Sequence, residues 1–404
     1  MTTIAWFRRD LRVHDNPALS SAMSAGDPVA CLFVVEPGWL KVCPARSAAF
    51  AHAVAGLAAE LERRGAKLIV RAGPAAEAVP ALARETGASR VLAAGDVTPA
   101  AVRRDKAVAR ALDETGISFR STPGLLVRDP GAVRSSSGDP YKVFTPYHKA
   151  WLAVPPRDRW SAPSEIPGVS ADSHEGALAA LAAARTAHEP VLAVAEREAR
   201  RALRAFLGES LGGYDECRHR LDGTGGSMLS AALRTGALSS LECATEAAPH
   251  RGSERWIRQL AWRDFASQTA ARWPALFRQD LRKRKGQWSR DAHAAEEWRT
   301  GTTGVATVDA AMRQLASQGW ISNRARMMVG SFLVRDMNIH WREGARHFMR
   351  TLADGDPAVN AFNWQWVAGT GYDVPAPYWR LSPDRQQERH DPGAAWLMRW
   401  LGRA

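Results

Sequence analysis

The sequence predicts an α/β domain built on a doubly wound parallel sheet, followed by an all-α domain. Three observations carry this. Short β-rich runs alternate with Ala/Leu-rich helical stretches over the first 130 residues, Pro and Gly interrupt the pattern after about residue 121, and helical spacing dominates from about residue 195.

Taken in order, residues 4–7, 29–35, 67–71, 90–93 and 117–120 read as strands, short and mostly apolar as strands covered on both faces should be. Residues 46–64, 74–86 and 99–115 read as helices between them, with Gly65, Gly87 and Gly116 as C-caps. A β-α-β series of this kind implies parallel pairing with right-handed crossovers. No GxGxxG follows the first strand, so the usual dinucleotide fingerprint is missing. Arg8-Arg9-Asp10-Leu11-Arg12 lies at a strand's carboxyl end, where such sheets bind ligands. An Arg–Asp network bracing the loop accounts for it, and no chemistry is assigned.

Pro123, Pro130, Pro140, Pro146, Pro155 and Pro156 mark a linker, within which residues 178–187 read either as a short surface helix or as a mobile connection. Residues 196–206, 227–234, 254–272, 308–317, 324–338, 341–352 and 395–401 then show apolar residues at three- and four-residue spacing, and no strand is expected among them. The expected division is 1–130, 131–194 and 195–404.

At 404 residues the chain can bury two or three cores. No apolar run approaches the ~18 residues of a membrane span. The N-terminus MTTIAWFRRD is charged where a signal peptide would be apolar, so the expected address is the cytoplasm. Cys31, Cys43, Cys217 and Cys243 are scattered, which indicates neither a zinc site nor a disulfide framework and reads as buried thiols. A net charge of +12 favours a polyanionic partner over a small neutral metabolite. Of 16 tryptophans, 12 follow residue 250. Residues 319–373 concentrate the pattern: Trp320, Trp341, Trp364 and Trp366 stand among arginines and beside Asp354-Gly355-Asp356, which suits a site for something flat, polar and aromatic. The two acids also read as helix caps in a loop.

The segments TTIAWFRRDLRVHDNPAL, YKVFTPYHKAW, WIRQLAWRDF, GTTGVATVDAAMRQLASQGWISNRARMMVGSFLVRD, WREG and LADGDPAVNAFNWQW occur in that order over nearly the whole chain. Together they resemble the DNA photolyase/cryptochrome family, in particular its bacterial class I branch, which repairs cyclobutane pyrimidine dimers. The resemblance implies FAD in the helical domain, held by Tyr214, Ser227, Leu229, Ser230, Trp256, Arg263, Asn323, Arg326, Asp354, Asp356 and Asn360. Ser227 and Ser230 are expected to open a helix towards the pyrophosphate with Arg263 as a charged partner, Arg326 and Asp354 to pair beside the ring, and Asn360 to lie near flavin N5. Trp364, Trp341 and Trp288 fall on the family's electron path. Gln259, Trp262, Asn323, Arg324, Met327 and Trp366 fall on lesion-facing positions, and Arg218 and Gln386 on DNA-contacting ones. The run Arg282-Lys283-Arg284-Lys285 reads as a phosphate contact or a solvated loop.

What the resemblance implies is a light-dependent lyase acting on UV-damaged DNA, a monomer without metal or membrane. An antenna chromophore is left open: Ala100 and Ala101 replace the polar pair of folate-binding relatives, which argues against folate and leaves a deazaflavin, another flavin or none. Gln259 stands for a Glu, Ser322 for a His and Gly226 for a Thr. The rival readings are a cryptochrome-like photoreceptor, whose long C-terminal extension is not expected from a sequence running four residues past Trp400, and a flavin-free DNA-binding module.

Overall fold

The structure is a computed structural model, and it describes residues 1–24, 26–284, 286–374 and 380–402. The first part of the chain runs β1 (Thr2–Phe7), α1 (Pro17–Met23), β2 (Val29–Val35), α2 (Pro44–Glu62), β3 (Leu68–Ala72), α3 (Ala75–Glu85), β4 (Ala88–Ala94), α4 (Pro99–Asp113) and β5 (Ser118–Thr122). The strands pair in parallel in the order β3-β2-β1-β4-β5. Their two-residue period divides the side chains between two cores. Ile4, Leu32, Ile69 and Val91 pack with Val79, Leu82, Val108 and Leu112 of α3 and α4. Phe7, Cys31, Phe33 and Val70 pack with Leu19, Leu57 and Leu61 of α1 and α2. All five expected strands are present, shifted by a residue or two at their ends. Helix α1 was not expected; it is set by its cap, with Asn16 Oδ1 accepting from Leu19 N at 3.0 Å and Pro17 opening the first turn.

The connection expected over 131–194 is not extended chain. It contains α5 (Phe144–Ala153), whose Phe144, Tyr147 and Trp151 are buried in the helical half. It also contains α6 (Glu175–Thr186), which returns Ala177 and Leu181 to the core beside β1 and β2. The prolines at 146 and 155–156 fall in the first turn of α5 and just beyond its end, where they are tolerated.

The remainder is helical: α7 (Glu196–Ala205), α8 (Tyr214–Cys217), α9 (Ser230–Thr235), α10 (Ser240–Ala247), α11 (Glu254–Arg272), α12 (Ala292–Thr300), α13 (Ala306–Gln318), α14 (Asn323–Ser331), α15 (Trp341–Thr351), α16 (Pro357–Ala368), α17 (Pro383–His390) and α18 (Ala395–Leu401). Helix α14 runs into a single π-turn at Phe332–Asp336, which ends the helix expected over 324–338 early. Helix α16 escaped the sequence pattern because it is apolar on most sides, with Asn363 its one exposed residue. Cys217 is exposed, unlike the other three cysteines, because it ends the short surface helix α8.

The arginine-rich loop after β1 pins the two halves together. Arg9 pairs with Asp96 at 2.7 Å and with Asp356, Arg12 Nη1 donates to Gly236 O at 2.9 Å, and the backbone N–H groups of Val13 and His14 donate to Glu196 at 2.8 and 2.9 Å. The bracing network is therefore real, and it reaches into the helical half.

Candidate functional site

A cavity of about 680 Å³ opens within the helical half. Helix α11 presents Trp256, Gln259 and Arg263 to it at three- and four-residue spacing, so one face of one helix supplies all three. Helix α14 brings Asn323, Arg324, Arg326 and Met327, and α16 brings Asn360 and Trp364. Asp356 is where the wall turns: its Oδ1 caps α16, accepting from Ala358 N at 2.9 Å and Val359 N at 3.1 Å, while Oδ2 meets Arg9. Burial raises the Asp356 carboxyl, but Arg9, Arg234 and Arg263 outweigh it and hold it at about 2.

Every residue expected at the flavin lines this cavity, as do Arg218, Gln259, Trp262, Arg324, Met327 and Trp366 from the lesion set. Gln386 does not; it sits on α17 with Oε1 3.4 Å from Arg324 Nη1. Of the three electron-path indoles only Trp364 lines the cavity. Trp341 is buried in the same core as Trp364, and Trp288 is half-buried against that core.

Several details depart from expectation. Helix α9 starts at Ser230, not Ser227, because Met228 takes a left-handed φ of 54° that breaks the helix before it. Arg263 gives three of its five guanidinium hydrogens to Leu125 O (2.6 Å), Ser240 Oγ (2.8 Å) and Leu233 O (3.1 Å), which fixes its charge at the cavity wall. Ser322, where the family carries a His, caps α14, its Oγ accepting from Ala325 N at 3.2 Å. Arg284 is half-buried, its guanidinium 3.8 Å from the Trp288 ring centroid, while Arg282 and Lys283 before it are exposed. Lys285 lies outside the described residues.

Some participants were missed. Phe144 stacks on Trp262 at 3.5 Å and 7°, fixing the indole that faces the cavity; the YKVFTPYHKAW motif signalled it, and the surrounding prolines obscured it. His219 also lines the cavity and accepts from Arg324 Nη2 at 2.8 Å through Nδ1. Burial, then Arg324 and Arg218, push it down to about 4. His347 on α15 is likewise pushed to about 4, by burial and then Arg299 and Arg350. Both folded values lie below the ordinary 6.5, so the unfolded chain binds these protons first as pH falls. The stability they confer is whole above about pH 6.5 and is lost on descent to about pH 4. Thermal unfolding at about pH 5 should therefore occur well below that at about pH 7, and His347→Leu should shrink the difference.

The cavity suits FAD on its own chemistry. Arg326 Nη2 donates to Asp354 Oδ2 at 2.7 Å, while Asp354 Oδ1 is buried with no partner among the described residues, and so is Nη1 of Arg234. Unmet buried acceptors and donors cost about 1–3 kcal/mol each. A flat group carrying an imide N–H, ring acceptors and a diphosphate can relieve such a cost, and Trp256, Leu229 and Trp364 supply apolar wall for its ring. Gly226 has no left-handed requirement, and a Cβ there would come no nearer than 3.3 Å, to Gly223 O. Gly226→Thr should consequently fold and slow FAD loss by about fivefold, the effect of one hydrogen bond of about 1 kcal/mol, read from flavin release during dialysis.

Two family models match the sequence, one described as DNA photolyase over residues 3–165 and one as the FAD binding domain of DNA photolyase over residues 256–403. The deoxyribodipyrimidine photo-lyase of Streptomyces griseus is 38% identical over 408 residues, covering 98% of this chain and 89% of the relative. Among solved structures, a class III photolyase from Agrobacterium tumefaciens superimposes with a TM-score of 0.90 at 30% identity, over 99% of this chain and 86% of that one. A cryptochrome from Synechocystis does so with a TM-score of 0.91 at 26% identity, over 99% and 88%. With family models covering both halves and relatives aligned over nearly the full length, the chain belongs to the DNA photolyase family.

Proposed function

We propose that this chain is a deoxyribodipyrimidine photo-lyase that uses FAD to split cyclobutane pyrimidine dimers in UV-damaged DNA. The observation that carries the reading is a single cavity in which the flavin set and the lesion set meet. When bound and reduced, FAD supplies one electron to the dimer under blue or near-ultraviolet light and regains it once the ring has opened. The protein's part is to position, to exclude water and to set charge.

At the buried wall, Arg326 and Asp354 orient the ring's polar edge, and Asn360 is fixed by donating from Nδ2 to Ala345 O at 3.0 Å. Arg263, and Arg234 beside it, place positive charge for the diphosphate. Trp262 and Trp366 with Met327 give a flipped-out lesion aromatic and polarisable surfaces to pack against; base flipping in photolyases is a general property of such enzymes. Arg324 and Arg218 meet the flanking phosphates, and Gln259 offers an amide in place of a carboxylate.

The reading includes the division into 1–130, 131–194 and 195–404. It also includes a monomer, since the cavity is completed within one chain, working in the cytoplasm. No helix among the described residues is long and apolar enough to cross a membrane. At the antenna position Ala100 and Ala101 begin α4 without polar side chains, which supports a chromophore other than folate or none.

Binding in the dark tests the lesion assignment. An oligonucleotide with one thymine dimer should bind about 10³-fold more tightly than its undamaged twin at moderate salt. Equal affinities would contradict it.

A further inference from the structure

Trp341 is 1% exposed, and its indole N–H is engaged: Nε1 donates to Asp280 Oδ1 at 2.7 Å. Asp280 belongs to the segment between α11 and α12, so a distant stretch of chain delivers a carboxylate to this one ring. The outer indole is treated in the opposite way, with the Arg284 guanidinium 3.8 Å from the centroid of Trp288. Hydrogen bonds from Ser289 N to Asn338 O (2.8 Å) and from Asn338 Nδ2 to Gln287 O (3.0 Å) tie this outer segment down. Between the two indoles lies His340, its ring centroid 5.0 Å from that of Trp288 and 5.7 Å from that of Trp341.

Removing an electron turns an indole into a cation and a much stronger N–H acid. A carboxylate on the N–H lowers the free energy of that cation and gives its proton a destination. A guanidinium against the ring, attractive while the ring is neutral, becomes repulsive once the ring is positive. The two outer indoles, which look equivalent in sequence, are therefore unequal.

Resting on the reading that Trp364, Trp341 and Trp288 carry electrons inward, we propose that Asp280 makes Trp341 the resting place of the unpaired electron by accepting its Nε1 proton, while Arg284 holds Trp288 back from oxidation. The oxidant is light-excited oxidised flavin, which receives one electron from Trp364. Oxidised Trp364 then takes one electron from Trp341 and is neutral again. The N–H bond of oxidised Trp341 breaks, an O–H bond forms on Asp280, and a cation plus a carboxylate become a neutral indolyl radical plus a carboxylic acid. Recombination must then move a proton as well as an electron, which lengthens the life of the charge-separated state.

The experiment is flash photolysis of FAD-loaded protein, followed by transient absorption and electron paramagnetic resonance, which distinguish an indole radical cation from a neutral indolyl radical. The parent should show the neutral form. Asp280→Asn keeps a hydrogen-bond acceptor but cannot take the proton, so it should show the cation, with a lifetime shortened about tenfold. Asp280→Glu should restore the neutral form. Arg284→Gln should move part of the signal to half-buried Trp288, where a soluble reductant quenches it faster. An unchanged radical and lifetime in Asp280→Asn, or unchanged quenching in Arg284→Gln, overturns the corresponding half of the proposal. Survival of the tryptophan signal in Trp364→Phe, run alongside, would instead show that the electron path itself is wrong.

Discussion

Trp364→Phe is expected to slow light-driven reduction of bound FAD by about two orders of magnitude, each factor of ten being about 1.4 kcal/mol of barrier. Trp364 is the one indole of the path on the cavity wall, and it is 4% exposed. Its position is over-determined. Gly344 has no side chain where the Trp364 ring passes, and Phe348 and Trp298 meet that ring edge-on at centroid distances of 5.1 and 6.0 Å. A phenyl ring fills most of the same space, so the fold should survive, but a phenyl is far harder to oxidise than an indole. Spectra of FAD-loaded protein under continuous blue light with a mild reductant read the effect. Photoreduction at the parental rate would remove Trp364 from the path.

Arg326→Ala is expected to cost about 3–5 kcal/mol of stability and most of the bound FAD. The Asp354 side chain is 3% exposed, and Arg326 is the partner that satisfies Oδ2; Oδ1 already has none among the described residues. Truncating the arginine leaves a buried carboxylate uncompensated, which costs more than the pair itself contributes. The double variant Arg326→Met with Asp354→Leu separates the two roles. It should regain much of the stability, because no charge is left buried, and still fail to retain FAD. Chemical denaturation and the flavin content of purified protein measure both. Full FAD content in Arg326→Ala would contradict the role given to the pair.

The fold was legible where burial imposes a period. The central strands β1 and β2 are buried on both faces and their runs stand out between the helices, whereas the edge strand β5 is mostly polar and exposed. It was hardest to read where tertiary packing overrides local signals. Helix α5 sits among prolines that look like a linker, yet Phe144 and Trp151 bury it, and Trp151 Nε1 donates to Asp264 Oδ2 at 2.9 Å. Helix α16 has no polar face to set off an apolar one.

The candidate site was legible for a different reason: the motif residues of α11, α14 and α16 converge on one cavity. Its supports were not legible, because each comes from far along the chain. Arg9 reaches Asp356 across nearly the whole sequence, and Asp280 reaches Trp341 across 61 positions. Side-chain hydrogen bonds of that kind leave no periodic trace.

The most direct test of the whole account is repair itself. Reduced, FAD-loaded protein is mixed with an oligonucleotide carrying one thymine dimer, and intact thymines are counted by chromatography after blue illumination and after an equal time in darkness. The account predicts repair in the light and none in the dark. Protein that holds reduced FAD and binds the oligonucleotide, yet leaves the dimer intact in the light, would contradict it.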